Sequence, residues 1–519
     1  MKNWFASKVV LAAILSLTPG PAWAQSPEDG LACLRATDLR CAQRVRDELL
    51  STTPNDGKTL QLHARTLFHE GRYDEAVEVI QQIEEMGLEP DGYAPYVATA
   101  EAASGLLYAE ETGLSVRHDR GVERILSQEA VETLRASRAT YDTLFGGGPD
   151  HSVVLDIYPT ASRFTGASGL PPEAVRTTGV VALSKWNRLL LTSPRALARG
   201  YNWKDTIAHE YIHLVVAWRT RDLAPVWLQE GLAKHLEGEW RQGRAEYLSV
   251  HQQSLLADAI QKDSFVPFEK FRRSMAYLDS GSEAALAFAQ VATMVHFLLE
   301  RAGDPALVKL LDRVRDGESS EDAVADLAGY EDFTAFKDGW KAFIRDLPLV
   351  REQLATLPVV LDGEGSEFDS DPILGQRMEL VKYARLGDLL REANRPAAAL
   401  IEYDKATDPS TPPSPMLIAR KATCLEMMGK TAQALTLVEE GVSLYPEFPL
   451  LQVTAGKLYE EMSRPEDAVR AWKVAHDLNP FNPEVQQALT RGYAALGEPD
   501  LAERHERYAQ ILATGGAVD

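Results

Sequence analysis

The sequence predicts a mainly α-helical chain with an α+β centre, flanked by helical hairpins and followed by a helical repeat solenoid. Three observations carry this expectation. Ala399, Ala434, Ala468 and Ala502 recur at intervals of 35, 34 and 34 residues within helical patterns. Residues 58–110 read as helix after helix, broken by the turn signal Glu70-Gly71-Arg72. Between these regions, Val153–Tyr158, Val180–Leu183 and Arg188–Thr192 are short β-rich runs bounded by Gly, Pro and Asn, and a long amphipathic helix follows them.

Each part has its own signals. The 34-residue period is that of tetratricopeptide repeats. Turns precede each alanine, small residues let the two helices of a hairpin approach closely, and Pro446 and Pro480, themselves 34 apart, end second helices. Stacked hairpins leave a concave groove, compatible both with architectural spacing and with a peptide or partner protein. The run around Tyr73-Asp74-Glu75-Ala76 resembles one further hairpin of this kind. Residues 351–374 are acidic and turn-rich, the composition of a linker. The expected order is therefore a leader at 1–24, a helical region at 25–115, the α+β centre at 116–350, the linker, and repeats over 375–519.

Composition narrows the function classes. With 54 basic and 76 acidic residues the formal charge is −22, which repels phosphate backbones and excludes the basic stripe of a nucleic-acid binder. Lys2 and Lys8, the apolar run Val9–Leu17 and the small-residue exit Ala22-Trp23-Ala24 have the form of a secretory signal peptide cleaved near Ala24. No later stretch is expected to supply the roughly 20 apolar residues of a membrane span. The implied location is periplasmic or secreted, where Cys33 and Cys41 suit a small disulfide loop. Cys424 is expected as a buried, unpaired core residue of the repeats.

The chemistry concentrates in the long central helix, which Asn202 opens and in which Asp205 occupies the first turn. It carries His209-Glu210-Tyr211-Ile212-His213. Histidines at i and i+4 lie one turn apart on one face, so both imidazoles can meet one ion while Glu210, rotated by about 100°, reaches a water beside it. A zinc site on two histidines needs a third protein ligand and leaves its fourth position to water. Glu230 is placed to supply that ligand: the helix runs out near Asp222, Pro225 can start a second one, and Gly231 and Ala233 permit close approach.

Thr206–His213 together with Pro225–Ala233 resembles the gluzincin metallopeptidases, in particular bacterial peptidase-MA-like domains joined to tetratricopeptide repeats. The resemblance spans residues 150–345. It implies a thermolysin-like fold, with His209, His213 and Glu230 as zinc ligands and Glu210 as general base. Related aminopeptidases often carry a glutamate seven residues past the carboxylate ligand, which makes Glu237 a candidate to orient a ligand histidine. Two positions depart from the pattern. Lys234 stands where thermolysin-like members have a histidine-supporting aspartate, and Phe288 stands where relatives place a tyrosine that stabilises the tetrahedral intermediate. Tyr277 is the expected substitute donor, with His296 as the other candidate, although His296 sits on an apolar stripe. Trp227 and Trp340 are expected as core anchors, and the remaining histidines as structural or surface residues.

The expected function is zinc-dependent hydrolysis of peptide bonds, with repeats that recruit a peptide substrate or protein partner. The alternative is a weak or inactive peptidase-like domain within a repeat-based scaffold of the cell envelope.

Overall fold

The computed structural model describes residues 25–88, 92–173, 175–176, 179–241, 246–275, 278–352 and 354–516. The expected leader, residues 1–24, lies outside the described residues, as does Tyr277.

Helices α1 (Pro27–Arg35), α2 (Leu39–Thr52), α3 (Gly57–His69), α4 (Tyr73–Glu85) and α5 (Ala94–Ala103) come first. Ser26 and Asp29 exchange side-chain and backbone hydrogen bonds in a capping box that starts α1. A disulfide between Cys33 and Cys41 joins α1 to α2. Gly71 takes φ 78°, a left-handed conformation that suits glycine, and turns α3 into α4.

The next segment departs from the helical expectation. Leu107–Glu111 and Leu114–His118 are strands β1 and β2, an antiparallel hairpin across Thr112-Gly113. Ala109, Glu110 and Glu111 favour helix locally, but Gly113 at φ 76° makes the hairpin turn and the sheet supplies the partner strand. The hairpin joins β3 (Val153–Tyr158), β5 (Arg188–Thr192) and β4 (Ala182–Lys185) in one mixed sheet of order β1-β2-β3-β5-β4. The expected boundary at 115/116 therefore cuts a continuous sheet. β2, β3 and β5 run parallel, and β4 is an antiparallel edge.

Both faces of the sheet are covered, which is why β3 and β5 are buried along their whole length. Leu155, Ile157, Leu189 and Leu191 face the main core, built with α6 (Arg124–Leu144) and α8 (Trp203–Thr220). Tyr158 and Leu190 alternate to the other side, against Phe164 of α7 (Ala161–Ser168). α9 (Val226–Leu236) follows α8, with Pro225 as its N-cap residue instead of its first helical one. α10 (Val250–Lys262), α11 (Phe268–Phe271), α12 (Gly281–Ala302), α13 (Pro305–Arg315), α14 (Ser320–Leu327) and α15 (Phe333–Arg345) complete the centre. Trp227 and Trp340 are buried in it. Among the described residues α12, with 22 residues, is long and apolar enough to cross a membrane, against expectation. It lies in the core instead, packed on α9 and α10.

The repeats form four hairpins: α16 (Met378–Glu392) with α17 (Pro396–Lys405), α18 (Pro415–Met427) with α19 (Thr431–Leu444), α20 (Pro449–Glu461) with α21 (Pro465–Leu478), and α22 (Pro483–Leu496) with α23 (Pro499–Ala513). Ala399, Ala434, Ala468 and Ala502 are all buried, and Cys424 is a buried free thiol. Pro446 and Pro480 stand two residues beyond the ends of α19 and α21.

The acidic segment 351–374 is tethered at both ends. Leu361 pairs with Leu197, Ala198 N–H donates to the Val360 carbonyl at 2.9 Å, and fully buried Asp371 accepts from Ser414 Oγ at 2.7 Å and Met416 N–H at 3.0 Å at the start of α18. Of its acidic residues Asp371 serves a helix terminus, whereas Glu352, Asp362, Glu364 and Glu367 are exposed.

The end of the repeats docks on α6 and α8. Tyr201 N–H, just before α8, donates to the Leu478 carbonyl at 2.9 Å. Lys204 pairs with Glu129 and, at 2.7 Å, with Asp477, and His476 Nε2 lies 2.8 Å from Glu129 Oε1.

Candidate metal centre

α8 places His209 and His213 one turn apart, and α9 brings Glu230 to them. His209 Nε2 and His213 Nε2 are 3.1 Å apart, and Glu230 Oε2 lies 3.3 Å from the first and 3.4 Å from the second. Four ligands at zinc bond lengths of about 2.0 Å in a tetrahedron stand about 3.3 Å from one another. The three donor atoms thus form a triangle of the size that one zinc ion requires, with donor types that suit it.

The close approach of α9 depends on a small residue. A Cβ on Gly231 would lie 3.0 Å from both the Val291 carbonyl oxygen and Val295 Cγ2 of α12, so α9 is held where its neighbour Glu230 reaches the histidines. At the start of α8 Asn202 occupies the N-cap position, but its side chain does not cap. It donates to Asp205 at 2.5 Å, while Trp240 Nε1–H donates to the same carboxylate at 2.9 Å.

Glu237, the C-cap residue of α9, lies with Oε2 2.9 Å from His209 Nδ1. A hydrogen bond there leaves Nε2 as the free electron-pair donor. Lys234 donates to the other oxygen of Glu237 at 2.5 Å, so the lysine that replaces the family's aspartate steadies the carboxylate that does the orienting. Burial disfavours charge on His209, but the carboxylates of Glu230 and Glu237 outweigh it and raise its pKa to about 10, so a metal ion bound at Nε2 would displace a proton there. Burial works against the Glu230 carboxylate too, yet the two imidazoles hold its pKa well below the usual carboxylate range.

Glu210 is 6% exposed, and burial pushes its pKa up despite the neighbouring imidazoles. The backbone of Ser184, on edge strand β4, lies close enough to favour its charged form slightly. A buried carboxyl with raised pKa beside the donor triangle is suited to take and return a proton. Ser184 leaves no side-chain signal in the sequence; only the expected β run just before the helix hinted at a strand here.

The other candidates do not join the donor triangle among the described residues. Phe288 is half-buried on α12. His296, on the same helix, sits among rings, 4.7 Å from Tyr247, 5.2 Å from His235 and 5.6 Å from Phe343 by centroid. A second group of potential ligands, Glu129, His476 and Asp477, is brought together by the docking of the repeats. There the Lys204 ammonium pairs with both carboxylates and supplies the positive charge.

Residues 136–346 match the family model of the peptidase MA superfamily. This segment is similar to peptidase MA domains. The match begins inside α6 and ends at α15, so it contains the sheet from β3 onward, the donor triangle and α12. No curated protein sequence matches the chain. Among solved structures, the crystal structure of MamA is 16% identical, covering 29% of this chain and 91% of its own, with a TM-score of 0.24. Native yeast LTA4 hydrolase is 11% identical, covering 80% of this chain and 67% of its own, with a TM-score of 0.31. At these values neither fixes the arrangement of this chain.

Proposed function

We propose that the chain is an exported zinc peptidase whose repeats recruit a peptide substrate or protein partner. The observation that carries the proposal is the triangle of His209, His213 and Glu230 donor atoms at 3.1, 3.3 and 3.4 Å, with Glu210 beside it. The match of residues 136–346 to the peptidase MA superfamily model supports it. Export is supported by the leader-like residues 1–24 and by the Cys33–Cys41 disulfide.

Zinc held by these three residues would act as a Lewis acid on the scissile carbonyl and make water a better nucleophile. Glu210 takes a proton from that water as its oxygen attacks the carbonyl carbon. It then passes the proton to the departing amine nitrogen as the C–N bond breaks. Edge strand β4 offers unpaired backbone groups to an extended peptide next to Glu210. Glu237 keeps His209 in the tautomer that presents Nε2.

Purified full-length protein should cleave members of a peptide library, and a chelator should abolish the cleavage until zinc is restored. Glu210→Gln should keep its zinc and lose at least about 100-fold in turnover. Cleavage that survives chelation, or an equally active Glu210→Gln form, refutes the proposal. Phe288 favours a second reading, a domain that holds zinc and peptide but turns over poorly, because phenylalanine has no hydroxyl to donate to the developing oxyanion. Stable capture of peptides by the zinc-loaded wild-type protein, without products, marks that reading.

A further inference from the structure

Beside the metal centre, a cavity of about 920 Å³ lies between the N-terminal helices, the β4–β5 turn and the far half of α8. It begins next to the reaction site, since Leu214 directly follows the ligand His213. Ser184, whose backbone lies close to Glu210, is among its lining residues, and Leu214, Ala217 and Arg221 line its floor. Those floor residues follow Glu210 at steps of four, three and four, so they continue the same face of the helix.

Two properties set this cavity apart. The first is charge: Arg35, Arg65, Lys185 and Arg221 line it against the single carboxylate of Asp222, in a chain whose formal charge is −22. Arg35 and Arg221 are exposed and form no ion pair among the described residues, although Asp316 is within electrostatic reach of Arg221. Behind the wall the guanidinium of Arg188 is fully buried without a hydrogen-bond partner among the described residues, 4.2 Å and 4.5 Å from the ring centroids of Phe68 and Tyr73. The positive field reaches the lining. Burial, then Arg188 and Arg65, lower the pKa of His69 to about 3.

The second property is backbone strain. Eight non-glycine residues take left-handed φ among the described residues, and five of them line this one cavity: Thr37 at 56°, Trp186 at 55°, Asn187 at 59°, Arg221 at 54° and Asp222 at 61°. Trp186 and Asn187 form the two-residue β4–β5 turn, and Thr37, Arg221 and Asp222 follow helix ends; these places call for left-handed φ, and at each the chain keeps a side chain where glycine fits more easily. At the C-cap of α8, where glycine is the common choice, the chain keeps Arg221 instead.

We propose that this cavity is the part of the substrate cleft that receives a carboxylate-bearing stretch of peptide, read by Arg35, Arg65, Lys185 and Arg221 with Trp186 as an apolar wall. The proposal rests on the peptidase reading above and names the substrate class of that site. A carboxylate offers the acceptor that guanidinium groups bind in a fork, and either an acidic side chain or a C-terminal carboxylate supplies it.

The test uses the full-length Glu210→Gln protein, zinc-loaded, and fluorescence anisotropy with three labelled heptapeptides of one framework. One carries two glutamates and an amidated C-terminus, one the two glutamines with the same amide, and one the glutamines with a free carboxylate. At least one carboxylate peptide should bind about tenfold tighter than the neutral one at low salt, with the gap shrinking at high salt. The tighter of the two identifies the source of the carboxylate. Arg35→Gln and Arg221→Gly, the latter free of the left-handed penalty and so expected to keep the fold, should each reduce the ratio several-fold. Equal affinity for all three peptides, or a ratio indifferent to both substitutions, overturns the proposal. Turnover by the wild-type protein judges the peptidase reading separately: cleavage without selectivity rejects only the subsite, and selective binding without cleavage rejects only the hydrolysis.

Discussion

Lys234 breaks the pattern of thermolysin-like sites, and the coordinates show what replaces it. Glu237, three residues on, takes the orienting hydrogen bond to His209 Nδ1, and Lys234 neutralises and steadies it. Removing a hydrogen-bond partner of this kind from a ligand histidine usually weakens metal binding by about 10- to 100-fold. Glu237→Ala should therefore raise the zinc dissociation constant by that factor in a chelator competition titration, and an unchanged constant would remove Glu237 from the site. At this scale much was legible in advance. His209, Glu210 and His213 form a local pattern at fixed helical spacing, and Glu230 is only one hairpin away. The placing of the Ser184 backbone beside Glu210 was not legible, because a backbone group has no residue type to read. The donor for the oxyanion is expected at Tyr277, which lies outside the described residues.

At the scale of elements, the centre works by fixing α9 between α8 and α12. Gly231 allows this, since any side chain there meets the Val291 carbonyl and Val295 of the neighbouring helix. Gly231→Val should destabilise the protein by about 1–3 kcal/mol through overpacking. A lowered urea midpoint should come with weaker zinc binding, because Glu230 moves with the helix. A midpoint equal to wild type would show that α9 and α12 separate without cost. Helices with strong periodicity, such as α8 and the repeat hairpins, were readable from the sequence. The β1–β2 hairpin was misread because Ala-Glu-Glu favours helix locally, and only pairing with β3, some forty residues later, makes it a sheet edge.

For the whole molecule, the chief feature is the docking of the last repeats on α6 and α8. Glu129 and His476 are 347 residues apart in the chain yet 2.8 Å apart in space, and Lys204 joins the same cluster only five residues before His209. No local pattern reports such a pairing, so these histidines could be read only as structural. His505 Nδ1 lies 2.7 Å from Gln486 Oε1, and Gln486 in turn contacts His476. Burial, then His476, lower the pKa of His505 to about 3, with Lys204 and Arg504 acting in the same direction and Glu129 opposing them. A histidine depressed in the folded state is protonated first in the unfolded chain. Its contribution to stability is therefore complete above the ordinary value near 6.5 and is lost as the pH falls from there towards 3. His69, lowered to about 3 as well, acts in the same direction. The urea midpoint should drop between pH 7 and pH 5, each histidine contributing up to about 1.4 kcal/mol per pH unit. A midpoint that does not move over that interval contradicts the buried, neutral assignment of both.

The central claim, that two imidazoles and one carboxylate from adjacent helices hold a single zinc ion, is tested most directly by metal analysis with zinc-edge X-ray absorption on the purified full-length chain. One zinc per chain is expected, with two imidazole ligands and light-atom oxygen donors, falling to little or none in His209→Ala, His213→Ala and Glu230→Ala. A protein that binds no zinc, or binds it equally well without these three side chains, contradicts the account.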